Sequence, residues 1–253
     1  MRLAHRLDGD PAAPVLVLAG SLGSTLAMWE PQLPLAERFR LLRYDHPGHG
    51  ISPPADGPLS IDDLGAGVVE LLDTVEVERV SFCGVSLGGM VAMWLAIHAP
   101  ERVDRLVLCC TSAYLGPPDQ WQERAELVRR KGMAAVADAG VQRWFTPRFH
   151  QAQPAVVDRY REMLLGTDAE SYARCCEAIR DMDLRDDLSR IGAPTVVVAG
   201  AEDPSTPVEH AETIVRLIAG SRLLVIPEAA HLANVERADA VNDVVLEHLA
   251  VAA

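Results

Sequence analysis

The chain offers little to nucleic acid or to an anionic membrane surface. Lysine and arginine number 23 against 36 aspartates and glutamates, a formal net charge of −13, and such a balance repels phosphate-bearing partners. No apolar run reaches the roughly 18 residues that span a bilayer. The segment Met1-Arg2-Leu3-Ala4-His5-Arg6-Leu7-Asp8 has no apolar stretch of the kind a secretory signal needs, so a soluble cytoplasmic protein is expected. Of five cysteines, Cys109-Cys110 and Cys175-Cys176 are adjacent pairs, which excludes zinc-site C-x-x-C spacing. Cys83 lies in an apolar run and reads as core, and free buried thiols fit a reducing compartment. Gly20-Ser21-Leu22-Gly23 does not extend into Gly-x-Gly-x-x-Gly, so a dinucleotide site is excluded, and neither cofactor nor metal is expected. Internal repeats, low-complexity tracts and long linkers are missing too.

What remains is 253 residues, 49% of them hydrophobic, enough for one large core with room for an inserted lobe. Short continuous apolar runs, as in strands buried on both faces, occur at Pro14–Ala19, Arg40–Tyr44, Val80–Cys83 and Arg105–Cys109. Helical spacing of Leu64, Val68, Leu71 and Leu72 falls between the second and third of these runs. Such alternation implies a parallel sheet with right-handed crossovers. It stops between about Ser112 and Arg190, where Trp121–Val141 and Ala155–Arg180 have helical patterns broken at Pro147 and Pro154. Alternation resumes with a strand at Pro194–Ala199, a helix at Val208–Ala219, a strand at Arg222–Ile226 and a closing helix at Asn234–Leu249. The pattern predicts an α/β core of residues 1–111 and 193–253, with a helical lid of residues 112–192. That lid carries 12 basic and 13 acidic side chains, so it is almost neutral while the remainder nets −12.

The densest chemical signal is Val80-Ser81-Phe82-Cys83-Gly84-Val85-Ser86-Leu87-Gly88-Gly89, an apolar strand running through Gly-x-Ser-x-Gly into a helix, Met90–His98. So sharp a turn strains Ser86 and lifts its hydroxyl above the sheet, while Gly84 and Gly88 allow strand and helix to pack closely. The Leu87 N–H opens the helix and can face an anion. This is the nucleophile elbow of an α/β-hydrolase: a mostly parallel sheet flanked by helices, here with a helical lid inserted between strands. A serine hydroxyl needs a base to take its proton. Of eight histidines, His5, His98 and His248 sit in regular elements, His46 and His49 in the loop Asp45–Gly50, and His150 and His210 at cap and helix positions. His231 alone follows a late buried strand and is the predicted base. Asp203, after strand 194–199, is the predicted acid, with Glu202, Asp45 and Asp186 as weaker rivals. The order Ser86, Asp203, His231 is that of α/β-hydrolases. Oxyanion donors are expected from the backbone of Leu87 and of Leu22, with Ser21 as the alternative, each stabilising the oxyanion by roughly 3–4 kcal/mol.

Several segments together resemble the 3-oxoadipate enol-lactonases of aromatic catabolism: Ser21–Ser24 through Met28-Trp29, Arg43-Tyr44-Asp45 with Gly48-His49-Gly50, Gly84–Met90, Arg143–Pro147, Tyr172–Asp181 and Asp203–Pro207. The resemblance covers nearly the whole chain. It implies hydrolysis of a small anionic lactone, with a lid cation near the substrate carboxylate. Trp144 is the expected pocket wall, and Arg143, Arg180 and Ser21 are expected binding residues. One departure is that His46-Pro47 stands where many of these lactonases have Thr-Arg, so another cation must serve here or the substrate differs. The elbow alone is equally compatible with another carboxylesterase or thioesterase, and a non-catalytic binding protein on this fold is a third class.

Overall fold

The computed structural model describes residues 1–250. Seven strands, β1 (His5–Asp8), β2 (Val15–Ala19), β3 (Arg40–Tyr44), β4 (Val80–Val85), β5 (Val103–Cys109), β6 (Thr195–Gly200) and β7 (Arg222–Ile226), form one sheet in the order β1-β3-β2-β4-β5-β6-β7. Only β1 runs antiparallel, pairing with β3; the other neighbours are parallel. Residues 16–19 of β2 and all of β6 are buried, as expected of strands covered on both faces. β2 leads to β3 on one side and β4 leads to β5 on the other. The chain therefore leaves the carboxyl ends of β2 and β4 in opposite directions and opens a crevice there, the usual ligand position in an open α/β sheet.

Two helices fix that crevice. In α1 (Ile61–Thr74), Ser60 and Asp63 form a reciprocal capping box. α2 (Leu87–His98) is buried on every side from Leu87 to Ile97, so it is the central helix under the sheet rather than an amphipathic surface helix. Gly65 of α1 lets α2 approach, since a Cβ there would lie 1.9 Å from the Trp94 ring.

Between β5 and β6 the chain builds five helices: α3 (Pro118–Lys131), α4 (Ala134–Trp144), α5 (Pro147–Ala152), α6 (Pro154–Leu165) and α7 (Ala169–Asp181). The helix expected over 121–141 is two helices, because Gly132 takes φ +72° and ends α3. The one expected over 155–180 also divides: α6 stops at Gly166, and Asp168 restarts the chain by accepting the Ser171 N–H at 2.8 Å. After α8 (Val208–Leu217) the expected closing helix breaks at Arg237 into α9 (Ala233–Glu236) and α10 (Ala238–Leu249). A 3₁₀ segment, Leu26–Glu37, carries Pro31 and Pro34 and shows no period that reads as α-helix. Among the described residues no helix is long and apolar enough to cross a membrane.

The inserted helices are tied to the sheet by specific bonds. Leu232 N–H donates to Trp144 O at 2.9 Å, and Asp168 N–H to Gly48 O at 2.9 Å. The Tyr160 hydroxyl reaches Met28 O at 3.2 Å. The Glu236 carboxylate accepts the Ala230 N–H at 3.0 Å and both the N–H and the hydroxyl of Thr146.

The α1–α2 approach yields a test remote from the crevice. Gly65→Ala overpacks the Trp94 site, and such insertions cost about 1–3 kcal/mol. The melting temperature should fall by roughly 3–10 °C for a chain of this length, while turnover per folded molecule stays at the wild-type level. An unchanged melting curve would mean that Trp94 moves aside freely.

Candidate active site

Ser86 lies between β4 and α2 at φ 56°, ψ −116°, a conformation that costs a non-glycine residue on the order of 1–3 kcal/mol. Its backbone is held there from three sides. Its N–H donates to Cys109 O at 3.0 Å, and its carbonyl accepts the Met90 N–H at 3.0 Å and the Thr111 hydroxyl at 2.7 Å. The flanking glycines are steric necessities. A Cβ on Gly84 would lie 2.3 Å from Gly88 O, and one on Gly88 would lie 2.0 Å from Ala19 O.

Ser86 opens onto a cavity of about 490 Å³ between the sheet and the inserted helices, which Ser21, Leu22, Trp144 and His231 also line. His231 follows β7 on the loop before α9. Its Nδ1 donates to Asp203 Oδ2 at 2.8 Å, a bond that in a neutral imidazole makes Nε2 the acceptor nitrogen. The Asp203 side chain is fully buried and takes three further donors: Ser205 N–H at 2.7 Å, Thr206 N–H at 3.1 Å and the Thr206 hydroxyl at 2.6 Å. Burial pushes this carboxyl up, but the His231 charge and the bonds from His231 and Thr206 outweigh it and hold it below its ordinary range. The rivals lie elsewhere. Glu202 and Asp186 are exposed, and Asp45 accepts the N–H groups of Leu26 and Ile51 at 2.5 and 3.0 Å. Among the described residues, the backbone N–H groups of Leu22 and Leu87 have no protein acceptor.

The expected cations part company here. Arg143 lines the cavity, and burial, then the neighbouring Arg124, lowers its pKa. Arg180 does not line it: its guanidinium pairs with Asp181 at 2.5 Å and bonds to Gln122. Arg180 sits in the last turn of α7, where an adjacent aspartate captures it at the surface. Sequence reading missed Arg124, which lines the cavity from α3 with its guanidinium 4.6 Å from the Trp121 ring centroid. The Trp121–Arg124 spacing of three on a helix was the available signal. Nine of the twelve basic side chains between 112 and 192 hold a carboxylate. The other three are Arg124, Arg143 and the exposed Lys131. Trp144 is buried and meets Tyr160 edge-on at 6.4 Å.

His46 and His49, rivals of His231 for the base, are buried behind the crevice and do not line the cavity. Burial, followed by the neighbouring His49, lowers His46 to about 3. Burial lowers His49 to about 4.

A family model described as the alpha/beta hydrolase fold matches residues 13–238, and the chain belongs to that family. Within it, the chain is 40% identical over 244 residues to 3-oxoadipate enol-lactonase 2 of Acinetobacter baylyi, covering 96% of this chain and 91% of that protein. The crystal structure of an enol-lactonase from Burkholderia xenovorans LB400 superimposes with TM-score 0.96 at 40% identity, covering 98% of this chain and 96% of that one. A hydrolase from Pseudomonas aeruginosa PA01 superimposes with TM-score 0.94 at 48% identity, covering 98% and 94%. These relatives support hydrolase activity for the chain.

The buried histidine pair sets a pH dependence. A free imidazole takes a proton near 6.5, whereas these two stay neutral in the folded state down to about 4 and about 3. Between pH 6.5 and 4 the unfolded chain therefore binds more protons than the folded one. Their contribution to stability is complete above about 6.5 and declines as pH falls, by on the order of 1 kcal/mol per pH unit for each ring. Urea midpoints at pH 7.5, 6 and 5 should decrease in that order; a flat series would contradict neutral burial of both rings.

Proposed function

We propose that this chain hydrolyses 3-oxoadipate enol-lactone to 3-oxoadipate, a step of aromatic catabolism, through an acyl-enzyme on Ser86. One observation carries the reading. A serine on a strained elbow and a histidine bonded to a buried carboxylate line one cavity with two arginines that hold no carboxylate. The enol-lactone bears a free carboxylate, and a buried anion needs a cation or several N–H donors. The 40% identity to an enol-lactonase over nearly the full length supports the same substrate.

In this reading residues 112–192 are the cap and residues 1–111 and 193–253 the core. Ser86 Oγ attacks the lactone carbonyl as His231 Nε2 takes its proton, and Asp203 stabilises the imidazolium. The oxyanion is met by the N–H groups of Leu22 and Leu87. The ring C–O bond breaks, and the enolate takes up the proton from His231 and ketonises. Water, deprotonated by His231, then attacks the acyl-enzyme, and Ser86 leaves with the proton. Arg143 and Arg124 hold the carboxylate, with Trp144 and Ser21 as pocket walls.

Ser86→Ala and His231→Ala should each nearly abolish turnover with the fold intact, and the double variant should be scarcely worse than either. Asp203→Asn should lose on the order of 10⁴ in kcat through the wrong histidine tautomer. Retention of more than roughly a tenth of wild-type activity by Ser86→Ala would remove the acyl-enzyme, since only weak residual catalysis survives without a triad.

The substrate is tested through charge. Arg143→Gln and Arg124→Gln should each raise KM for the carboxylate-bearing lactone on the order of 10-fold or more, the worth of a charge-assisted hydrogen bond. A neutral lactone of similar size should be affected little. Equal effects on both, or faster turnover of p-nitrophenyl esters or acyl-CoA than of the enol-lactone, would return the chain to the general esterases or thioesterases.

A further inference from the structure

The loop Gly20–Gly23, which carries Leu22 to the cavity, is gripped at both ends by side chains that never reach the cavity. At its start, Gly20 O accepts two donors, the Gly88 N–H of α2 at 3.0 Å and His46 Nε2 at 3.0 Å. At its end, the Gly23 N–H donates to His49 Nε2 at 2.9 Å. The two rings are asked for opposite things. His46 Nε2 must carry a hydrogen, because its partner is a carbonyl. His49 Nε2 must be bare, because its partner is an N–H, and its hydrogen sits on Nδ1, which meets Pro47 O at 2.9 Å. His49 is therefore neutral with its hydrogen on Nδ1, and burial keeps His46 neutral with its hydrogen on Nε2; both rings are almost wholly buried, edge to face at 5.9 Å. Between the grips, Ser24 returns its N–H and its hydroxyl to Ser21 O at 3.0 and 2.7 Å. Every bond around the loop thus leaves the Leu22 N–H free.

We propose that His46 and His49 are positioning residues that fix the Leu22 N–H at the height of the developing oxyanion, so that they tune kcat without touching substrate. The inference rests on the acyl-enzyme reading above. Its physical ground is that oxyanion stabilisation comes from donors already in place, and that displacement of a reacting group by about 1 Å costs on the order of 100-fold. Gly20 O links the loop directly to α2, whose first N–H, from Leu87, is the other proposed donor. Loss of the His46 bond leaves Gly88 as the sole restraint on that carbonyl and allows the spacing of the two donors to drift. His46 is also part of the His46-Pro47 pair that stands where many similar lactonases have Thr-Arg.

The test compares His46→Leu, which removes the donor, with His46→Gln, whose side-chain amide N–H reaches about as far as imidazole Nε2. The full-length variants are assayed with p-nitrophenyl acetate, and inhibition by a simple alkylboronic acid, whose tetrahedral adduct mimics the oxyanion, is measured in parallel. His46→Leu should lose about 10- to 100-fold in kcat with KM within roughly twofold, and the boronate Ki should rise by the same factor as kcat/KM falls. His46→Gln should recover to within a few-fold of wild type on both scales. If His46→Leu does not fold, His46→Thr, too short to reach Gly20 O, takes its place. A folded Leu or Thr variant with wild-type kcat and boronate affinity would overturn the proposal. So would a His46→Gln variant as impaired as His46→Leu, because the ring's packing rather than its bond would then matter. Failure of the parent reading looks different: Ser86→Ala would keep its activity, and boronate would fail to inhibit the wild type.

Discussion

Everything at the crevice depends on how closely α2 approaches the sheet. The helix begins one residue after Ser86, and its first turn lies against the ends of β2 and β4 at distances that admit no side chain at positions 84 or 88. That contact does three things at once. It forces Ser86 into the left-handed region, brings the Gly88 N–H within bonding range of Gly20 O, and aims the unpaired helix N-terminus at the crevice. The strain at Ser86 is affordable because α2 is buried on all sides and anchored by apolar packing along its whole length. A helix with a solvent face would have more freedom to slide and release the turn.

The second element is how the inserted helices meet that fixed platform. Their ties converge on the loop bearing His231. Leu232 N–H is bonded to the last residue of α4, and Glu236 gathers the Ala230 N–H and Thr146 into one carboxylate. Trp144 and the histidine loop are therefore located by the same contacts, so the cavity wall and the imidazole are set relative to each other. A change in Glu236 would disturb both sides of the cavity together.

The sheet and the site were legible in the sequence to different depths. The central strands were plain because parallel strands buried on both faces appear as uninterrupted apolar runs, unlike the half-exposed edge strands β1 and β7, and the elbow because Gly-x-Ser-x-Gly lies between an apolar strand and a helix. Asp203 and His231 were expected from topology, each on the loop after a late strand, and their side chains meet at 2.8 Å. The helix breaks at Gly132, Gly166–Asp168 and Arg237 were not, because apolar periodicity continues across them and the stops arise from a positive φ and from local capping. Arg124 and Arg180 show the same limit for the site. Both are arginines on the inserted helices α3 and α7, and what separates them is whether a carboxylate lies within reach, a matter of neighbours and not of spacing.

The same separation runs through residues 112–192, which are nearly neutral on a strongly acidic molecule. Most acidic side chains of this segment pair with its arginines at the surface, in pairs that contribute little stability individually. Arg129 alone bridges Glu170 and Glu177. Burial, and then the neighbouring Arg124, lower the affinity of Arg143 for a proton. In the proposed reading, an anionic substrate would meet both guanidinium groups and screen them from each other. The −13 net charge would slow the approach of such a ligand from bulk water. In that reading its capture would depend on the local field of Arg124 and Arg143 within the low-dielectric cavity, where a charge pair counts for far more than it does at the surface.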